Sequence, residues 1–348
     1  MKWNLFQSRR TKKLRPTHVN AKPCRLAVEA LEDRWLPSTI TWLNNASGFF
    51  NVPTNWQGGV PTPSDDAIIP FSGITVTSSA NVTVNSITCT GATLAIAANA
   101  SFTAVGGGLG GTTSSISTLT LGSGSTLQAS ASTLAIGGGT SAGTLTALTG
   151  AIIAFNFNSG QFTMNSGSSL SGSGLFFVGG FETLTFNVDE NAPTNFQLDN
   201  SGTVNGPGNL TITNTFTWTG GTLGGSSTTI VPAGTTLNIS NNFNKFVTGS
   251  HVLNLAGTTT WTGTGELDGS PGSTINNSGT FTAQNDGVCG NGGQGAGVIF
   301  NNNTNGVFTK SGTTGTTSFA GNLLNNSGTV NINSGTLTLS GGDRKSVV

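Results

Sequence analysis

An Asn-Ser-Gly-Thr step keeps returning in the second half of this chain. It stands as NSGTV at 200 to 204, NNSGTF at 276 to 281 and NNSGTV at 325 to 330, with a looser copy, NTNGVF, at 303 to 308. The glycines that mark these and related steps, Gly202, Gly234, Gly257, Gly279, Gly306 and Gly328, set a period of roughly 22 to 27 residues with one insertion. The first half repeats less cleanly, through Gly91-Ala92-Thr93-Leu94, Gly124-Ser125-Thr126-Leu127, Gly143-Thr144-Leu145 and Gly167-Ser168-Ser169-Leu170. Between the steps, apolar and small polar residues alternate with period two, as in Ile74-Thr75-Val76-Thr77 and Asn81-Val82-Thr83-Val84, which is the rhythm of strands. A short unit built of such strands suits one coil of a parallel β-helix, because each coil turns two or three corners. Gly and Asn tolerate positive φ at corners. Between corners, alternating Leu, Ile, Val and Phe can fill a narrow core while Thr and Ser face water. Roughly 300 residues at ~23 per coil would stack about 13 coils, a rod on the order of 60 Å long.

Other architectures fit less well. Disordered chains combine low hydrophobicity with high net charge, whereas here the net charge is zero and the alternation persists. A membrane β-barrel uses strands of about 10 residues with aromatic girdles, but the strands here are short and there is no tyrosine. A sandwich leaves the repeated boundaries unexplained. No apolar run approaches the ~20 residues of a membrane-spanning helix. The segment from Ile152 to Leu198 crowds Phe155, Phe157, Phe162, Phe176, Phe177, Phe181 and Phe186 beside Glu182, Asp189 and Glu190. It reads as a seam between two stacks or, preferably, as wider coils filled by stacked phenylalanines.

Ahead of the repeats lies a lead-in with Trp42, Asn55-Trp56, the GGVPTPSDD stretch at 58 to 66, and then the first Thr-Val strands. These features resemble the opening rung of β-helix domains in large secreted bacterial proteins, which implies architecture and location more than chemistry. An open β-helix end leaves unpaired backbone groups that template aggregation. Trp42, Phe49, Phe50 and Trp56 are therefore expected as a lid on the first coil, with Pro53, Pro61 and Pro63 blocking further pairing. A sugar-binding aromatic cluster is the functional alternative. Asp65-Asp66 reads as acidic turn residues, or as part of a Ca²⁺ site if further oxygen ligands converge there.

The head is basic. Nine of the thirteen Lys and Arg residues fall within the first 34 positions, and no apolar run of about 7 to 15 residues follows them as a secretory signal would require. Ser8-Arg9-Arg10 matches a twin-arginine signal only in part, for the same reason, and a nucleic-acid arm is a further reading of such a cluster. The stretch Leu31-Glu32-Asp33-Arg34-Trp35-Leu36-Pro37-Ser38, after that cluster and just before the β-rich body, resembles the LEPR-XLL type N-terminal sorting sequence of planctomycete surface and secreted proteins. The resemblance implies that Leu31, Glu32, Asp33 and Arg34 form the sorting motif. Leu26, Ala27, Ala30 and Leu31 also fit a short helix stopped by Pro37. At the other end, Asp343-Arg344-Lys345-Ser346-Val347-Val348 looks like the translation of a sequencing adapter, which implies a foreign tail on a reading frame that is a fragment.

Catalytic constellations are scarce. Charged residues make up 7% of the chain, against a usual ~25%. In the body, Lys245, His251 and Lys310 are scattered, where polysaccharide-cleaving sites need carboxylates and bases converging. His251 reads as a polar turn residue. No nucleophile elbow, phosphate loop or Cys/His metal spacing occurs. Cys89 and Cys289 lie about nine coils, on the order of 40 Å, apart, too far for a disulfide, which needs Cα atoms within ~7 Å. Thr217-Trp218-Thr219-Gly220 matches Thr260-Trp261-Thr262-Gly263 two coils on, so Trp218 and Trp261 should lie in one line. They are either a carbohydrate-contact stripe or, as Phe216 on the same face favours, core residues.

The reading is thus an all-β chain, a right-handed parallel β-helix (β-solenoid) with an N-terminal cap and a disordered or helical sorting segment. Its expected divisions are a sorting segment at 1–38, a cap at 39–70, repeats at 71–342 and the tail at 343–348. The expected role is a non-catalytic structural or adhesive rod of a secreted or cell-surface protein, without cofactor, nucleic acid or membrane span. Its partners would be surface polysaccharides or other surface proteins. The alternative is a polysaccharide-binding or polysaccharide-degrading β-helix.

Overall fold

The computed structural model describes residues 37–106, 114–157, 159–193, 195–293, 297–321 and 323–340. The basic head, with Leu31, Glu32, Asp33 and Arg34, and the expected foreign tail at 343–348 lie outside them. The described chain is a parallel β-solenoid of about 12 turns, against the roughly 13 expected from the period. Strands are short, most of them four residues, and their burial alternates: Thr236–Ile239 and Val252–Leu255 each read half-buried, buried, half-buried, buried. That alternation is the pleat, which sends every second side chain inward.

Three faces are laid down in turn. The first begins with Ser38–Thr41, which pairs with Asp65–Ile69, and runs through Thr133–Ile136, Leu175–Val178 and Thr215–Trp218 to Thr329–Ile332. The second runs from Gly48–Phe49 through Thr75–Ser78 and Lys245–Val247 to Thr336–Leu339. Ser86–Ile96 and Ser114–Leu121 run round the corner between these faces and join them into one 26-stranded sheet. The third face consists of a five-stranded and a seven-stranded sheet. The fully buried Ile, Leu, Val and Phe residues of all three faces form one continuous core.

Several expectations change. The lead-in itself forms the first rung, since Ser38–Thr41 and Gly48–Phe49 pair in parallel with the next coil. Trp42, Phe50 and Trp56 are buried and meet edge-on, whereas Phe49 is 55% exposed. Asp65 closes a turn with Thr62, through its backbone N–H and its carboxylate, and with Asp66 opens the strand that follows.

The phenylalanine-rich segment does not divide the stack in two, because the first and second ladders pass straight through it; only the third face changes sheets there, between Ser169–Ser171 and Glu190–Ala192. Nor are its coils wider than the rest: Ala154 pairs with Phe177 and Phe177 with Gln197, steps of 23 and 20 residues, inside the range from 18 (Thr126 to Thr144) to 30 (Val288 to Ser318) found along the stack. Its rings meet tilted or edge-on, as between Phe155 and Phe162 and between Phe196 and Phe216.

The near copies also occupy different corners. Gly202 leads into the second face at Thr203–Asn205, while Gly279, Gly306 and Gly328 lead into the first face at Thr280–Ala283, Val307–Lys310 and Thr329–Ile332. The copies do not turn alike either: Ser201 has φ +67° and the Gly202 N–H donates to the Asp199 carbonyl, whereas the Gly279 and Gly328 N–H groups donate to the Leu255 and Asn302 carbonyls of the preceding coil, so sequence likeness reports a corner and not its geometry or its position in the coil.

Candidate functional site

Trp218 and Trp261 lie in one inward column of the first face. Trp218 pairs with Ile239, and Ile239 with Trp261. They are 0% and 1% exposed. The Trp218 ring stacks on Phe216 at 6.1 Å, and Trp261 meets Phe281 edge-on at 6.5 Å. Neither can offer a ring face to a sugar, so the carbohydrate-contact reading of this pair falls and the core reading holds.

Polar chemistry inside the stack is carried by a few buried ionisable groups, each tied within its own coil or to the adjacent one. His251 closes the turn that starts at Thr248, its backbone N–H donating to the Thr248 carbonyl, but its ring is enclosed. It is 1% exposed, and Nδ1 lies 3.0 Å from the Gly224 carbonyl. A carbonyl can only accept, so Nδ1 carries the proton and Nε2 accepts from Thr229 Oγ1 at 3.0 Å. Burial holds its pKa down at about 4.

Lys245 is buried with Nζ donating to the Asn241 and Phe243 carbonyls at 3.0 and 2.6 Å. Burial lowers its pKa to about 8. Lys310 stands two rungs beyond Trp261 in the same inward column. It reaches a corner, where Nζ donates to the Asn285 carbonyl at 2.8 Å and to Asp286 Oδ1 at 3.1 Å, and also meets Thr313.

The carboxylates divide into pins and misfits. At Asp65, burial raises the pKa, but hydrogen bonds from Ser38 and from the hydroxyl and backbone N–H of Thr62 outweigh it and hold the group below its ordinary value. Glu190 accepts from Ser168 Oγ at 2.9 Å and from the Leu170 backbone. It thereby joins the two sheets of the third face where Ser169–Ser171 gives way to Glu190–Ala192. Glu182 is fully buried. The Gly160 N–H donates to Oε2 at 2.9 Å, Oε1 has no partner, and burial lifts the pKa to about 7.

Asp268 is likewise fully buried, with one oxygen satisfied by Asn244 Nδ2 at 3.1 Å and the other, Oδ1, unpartnered. Burial first, then the negative charge of Glu266, lifts its pKa to about 6. The pairing of Asp268 with Glu266 was not foreseen from the sequence. Its signal was Glu266-Leu267-Asp268, two carboxylates two residues apart and therefore on one side of an extended chain. Among the described residues, no three His, Cys, Asp or Glu side chains converge as a metal cluster, Asp65 and Asp66 included. The described residues also hold no helix long and apolar enough to cross a membrane.

Outward positions are nearly free of charge. The first face presents a column running from Gln197 through Thr217, Asn238, Thr260, Thr282 and Thr309 to Asn331. On the third face, Asn254, Asn276, Asn301 and Asn325 hydrogen-bond amide to amide at 2.8, 2.7 and 2.8 Å. Compared with known proteins, the chain matches no family model, no curated sequence and no solved structure.

Proposed function

We propose that this chain is a non-catalytic structural or adhesive rod of a secreted or cell-surface protein. The observation that carries the reading is the uncharged Thr/Asn column of the first face, continuous over successive coils. Acid-base catalysis and polysaccharide cleavage need titratable groups converging on one open surface. Here the strongly perturbed groups are buried and tied within their own or an adjacent coil. A polar, charge-poor surface remains hydrated at any ionic strength, which suits an extracellular spacer or a broad contact surface. The basic head with Leu31, Glu32, Asp33 and Arg34 would supply the address.

Immunolabelling of the tagged chain on intact cells of its native host tests this. Surface label without permeabilisation is expected, and retention of the chain in the cytoplasm would overturn the reading.

A second reading, glycan contact, is favoured by one observation. Phe181 and Phe243 are 71% and 42% exposed at the same corner, between the first and second faces, three coils apart. Between them stand Asn200-Ser201 and Thr219-Gly220, which leave the rings free. Retention of the chain on a polysaccharide column that disappears in Phe181→Ala, with melting unchanged, would favour this reading over a bare spacer.

A further inference from the structure

The outer side of the second face holds an arrangement that a plain rod does not require. Phe246 pairs with Asp268, and Asp268 with Gly290, so three successive coils meet at one carboxylate. Asn244, from the preceding coil, orients it. Asn244 Oδ1 accepts the Glu266 backbone N–H at 3.1 Å while Nδ2 donates to Asp268 Oδ2, also at 3.1 Å. The Gly292 backbone, from the following coil, donates to the same carboxyl group.

Asp268 is 0% exposed, and its Oδ1 is buried without a partner. Opposite it, Gly290 contributes no side chain, and a Cβ there would sit 2.8 Å from Asp268 Oδ1 and 3.8 Å from Glu266 Oε2. Two carboxylate oxygens from two residues therefore border one gap that only glycine leaves open. The cation adjacent in sequence does not serve them, because Lys245 Nζ is committed to the Asn241 and Phe243 carbonyls. Asp268 Oδ1 is shut away from water without a hydrogen-bond partner, and the side chain that meets the group, Glu266, is a second carboxylate; such a pair is costly when ionised unless a cation joins it.

We propose that Asp268 and Glu266 bind a hard divalent cation of the Ca²⁺ class in the gap beside Gly290. The ion clamps the coil of Leu267–Gly269 to that of Val288–Gly290. The donors bordering the gap are carboxylate oxygens, which suit Ca²⁺ with its flexible coordination; Mg²⁺ demands a stricter octahedron, and zinc favours thiolate or imidazole. With two carboxylates the affinity falls in the weak range, on the order of 0.1–1 mM, characteristic of extracellular modules.

The test uses the full chain, stripped with EDTA and titrated with CaCl₂ or MgCl₂ at neutral pH, followed by thermal melting and isothermal titration calorimetry. A saturable rise in Tm with CaCl₂ and a weaker response to MgCl₂ are expected. Glu266→Gln, at a half-buried position, should weaken Ca²⁺ more than about tenfold. Asp268→Asn should abolish the response, and if that variant melts too low to titrate, Glu266→Gln decides the matter alone. Asp189→Asn, at an exposed position on another face, should leave the response unchanged. No shift in wild type up to about 10 mM Ca²⁺, or a shift that survives in Glu266→Gln, would overturn the proposal.

Discussion

At the scale of single residues, Trp218 and Trp261 set how much one side chain contributes. Each fills a full rung of the core, so replacement by Ala leaves a cavity larger than the neighbouring Ile239 can close. Trp218→Ala and Trp261→Ala should each cost about 3–5 kcal/mol in denaturant unfolding. Glu182 makes the opposite kind of contribution. Its folded pKa of about 7 lies above the ordinary value of 4.5, so the native state holds the proton longer than the unfolded chain. Stability is then highest below pH 4.5, falls as pH rises from 4.5 through 7, and is flat above, a loss on the order of 2–3 kcal/mol. Glu182→Gln keeps an acceptor for the Gly160 N–H and cannot ionise. The difference in urea midpoint between variant and wild type should grow in favour of the variant from pH 4.5 to pH 8. His251 and Asp268 titrate in both proteins and cancel in that difference, and a pH-independent difference would show that Glu182 ionises freely in the fold.

At the scale of the element, the third face is held by two amide ladders rather than by apolar packing alone. The outer one is the Asn254–Asn276–Asn301–Asn325 column. The inner one runs Asn277 to Asn302 at 2.8 Å and Asn302 to Asn326 at 2.8 Å, with Asn302 Nδ2 also donating to the Thr329 carbonyl at 3.0 Å. Removing a buried amide strands its partners, whereas an outer one is replaced by water. Asn302→Ala should therefore cost roughly 2–3 kcal/mol and Asn301→Ala less than about 1 kcal/mol. Equal losses would mean that the inner ladder is hydrated. Corners constrain as tightly as ladders. At Gly139, with φ +123°, a Cβ would lie 1.9 Å from the Leu119 carbonyl oxygen, so the strand Gly139–Ser141 can reach its neighbour only because its first residue is glycine.

For the whole molecule, parallel stacking decides which distant residues meet. Cys89 pairs along the first face with Ile69 and Ile116, while Cys289 sits on the second face opposite Leu267. Both are buried, and burial pushes the Cys89 thiol well above its ordinary value. Non-reducing peptide mapping should find no Cys89–Cys289 crosslink, and thiol reagents should label Cys89 only as the protein unfolds. A crosslink would require the stack to fold back on itself.

Much of this was present in the one-dimensional pattern. Alternation alone assigned strand and inward face for residues such as Val76, Val82 and Val84, which are buried, because the pleat makes side-chain direction a local property. Gly and Asn marked corners for the same local reason. What remained hidden depends on coil length. Asn-Ser-Gly-Thr at 200 to 204 and at 276 to 281 look alike yet turn different corners, since nothing within a corner counts the residues to the next. The neighbours of a buried group lie one coil away in sequence, so Glu182 over Gly160, His251 beside Gly224, and Asp268 between Asn244 and Gly290 came together only when the register of successive coils was set. The sequence by itself determined a narrow, charge-poor β stack. The tertiary structure alone decided which few charged groups the stack encloses, because register between coils is settled by packing of the whole core and by no single stretch of chain.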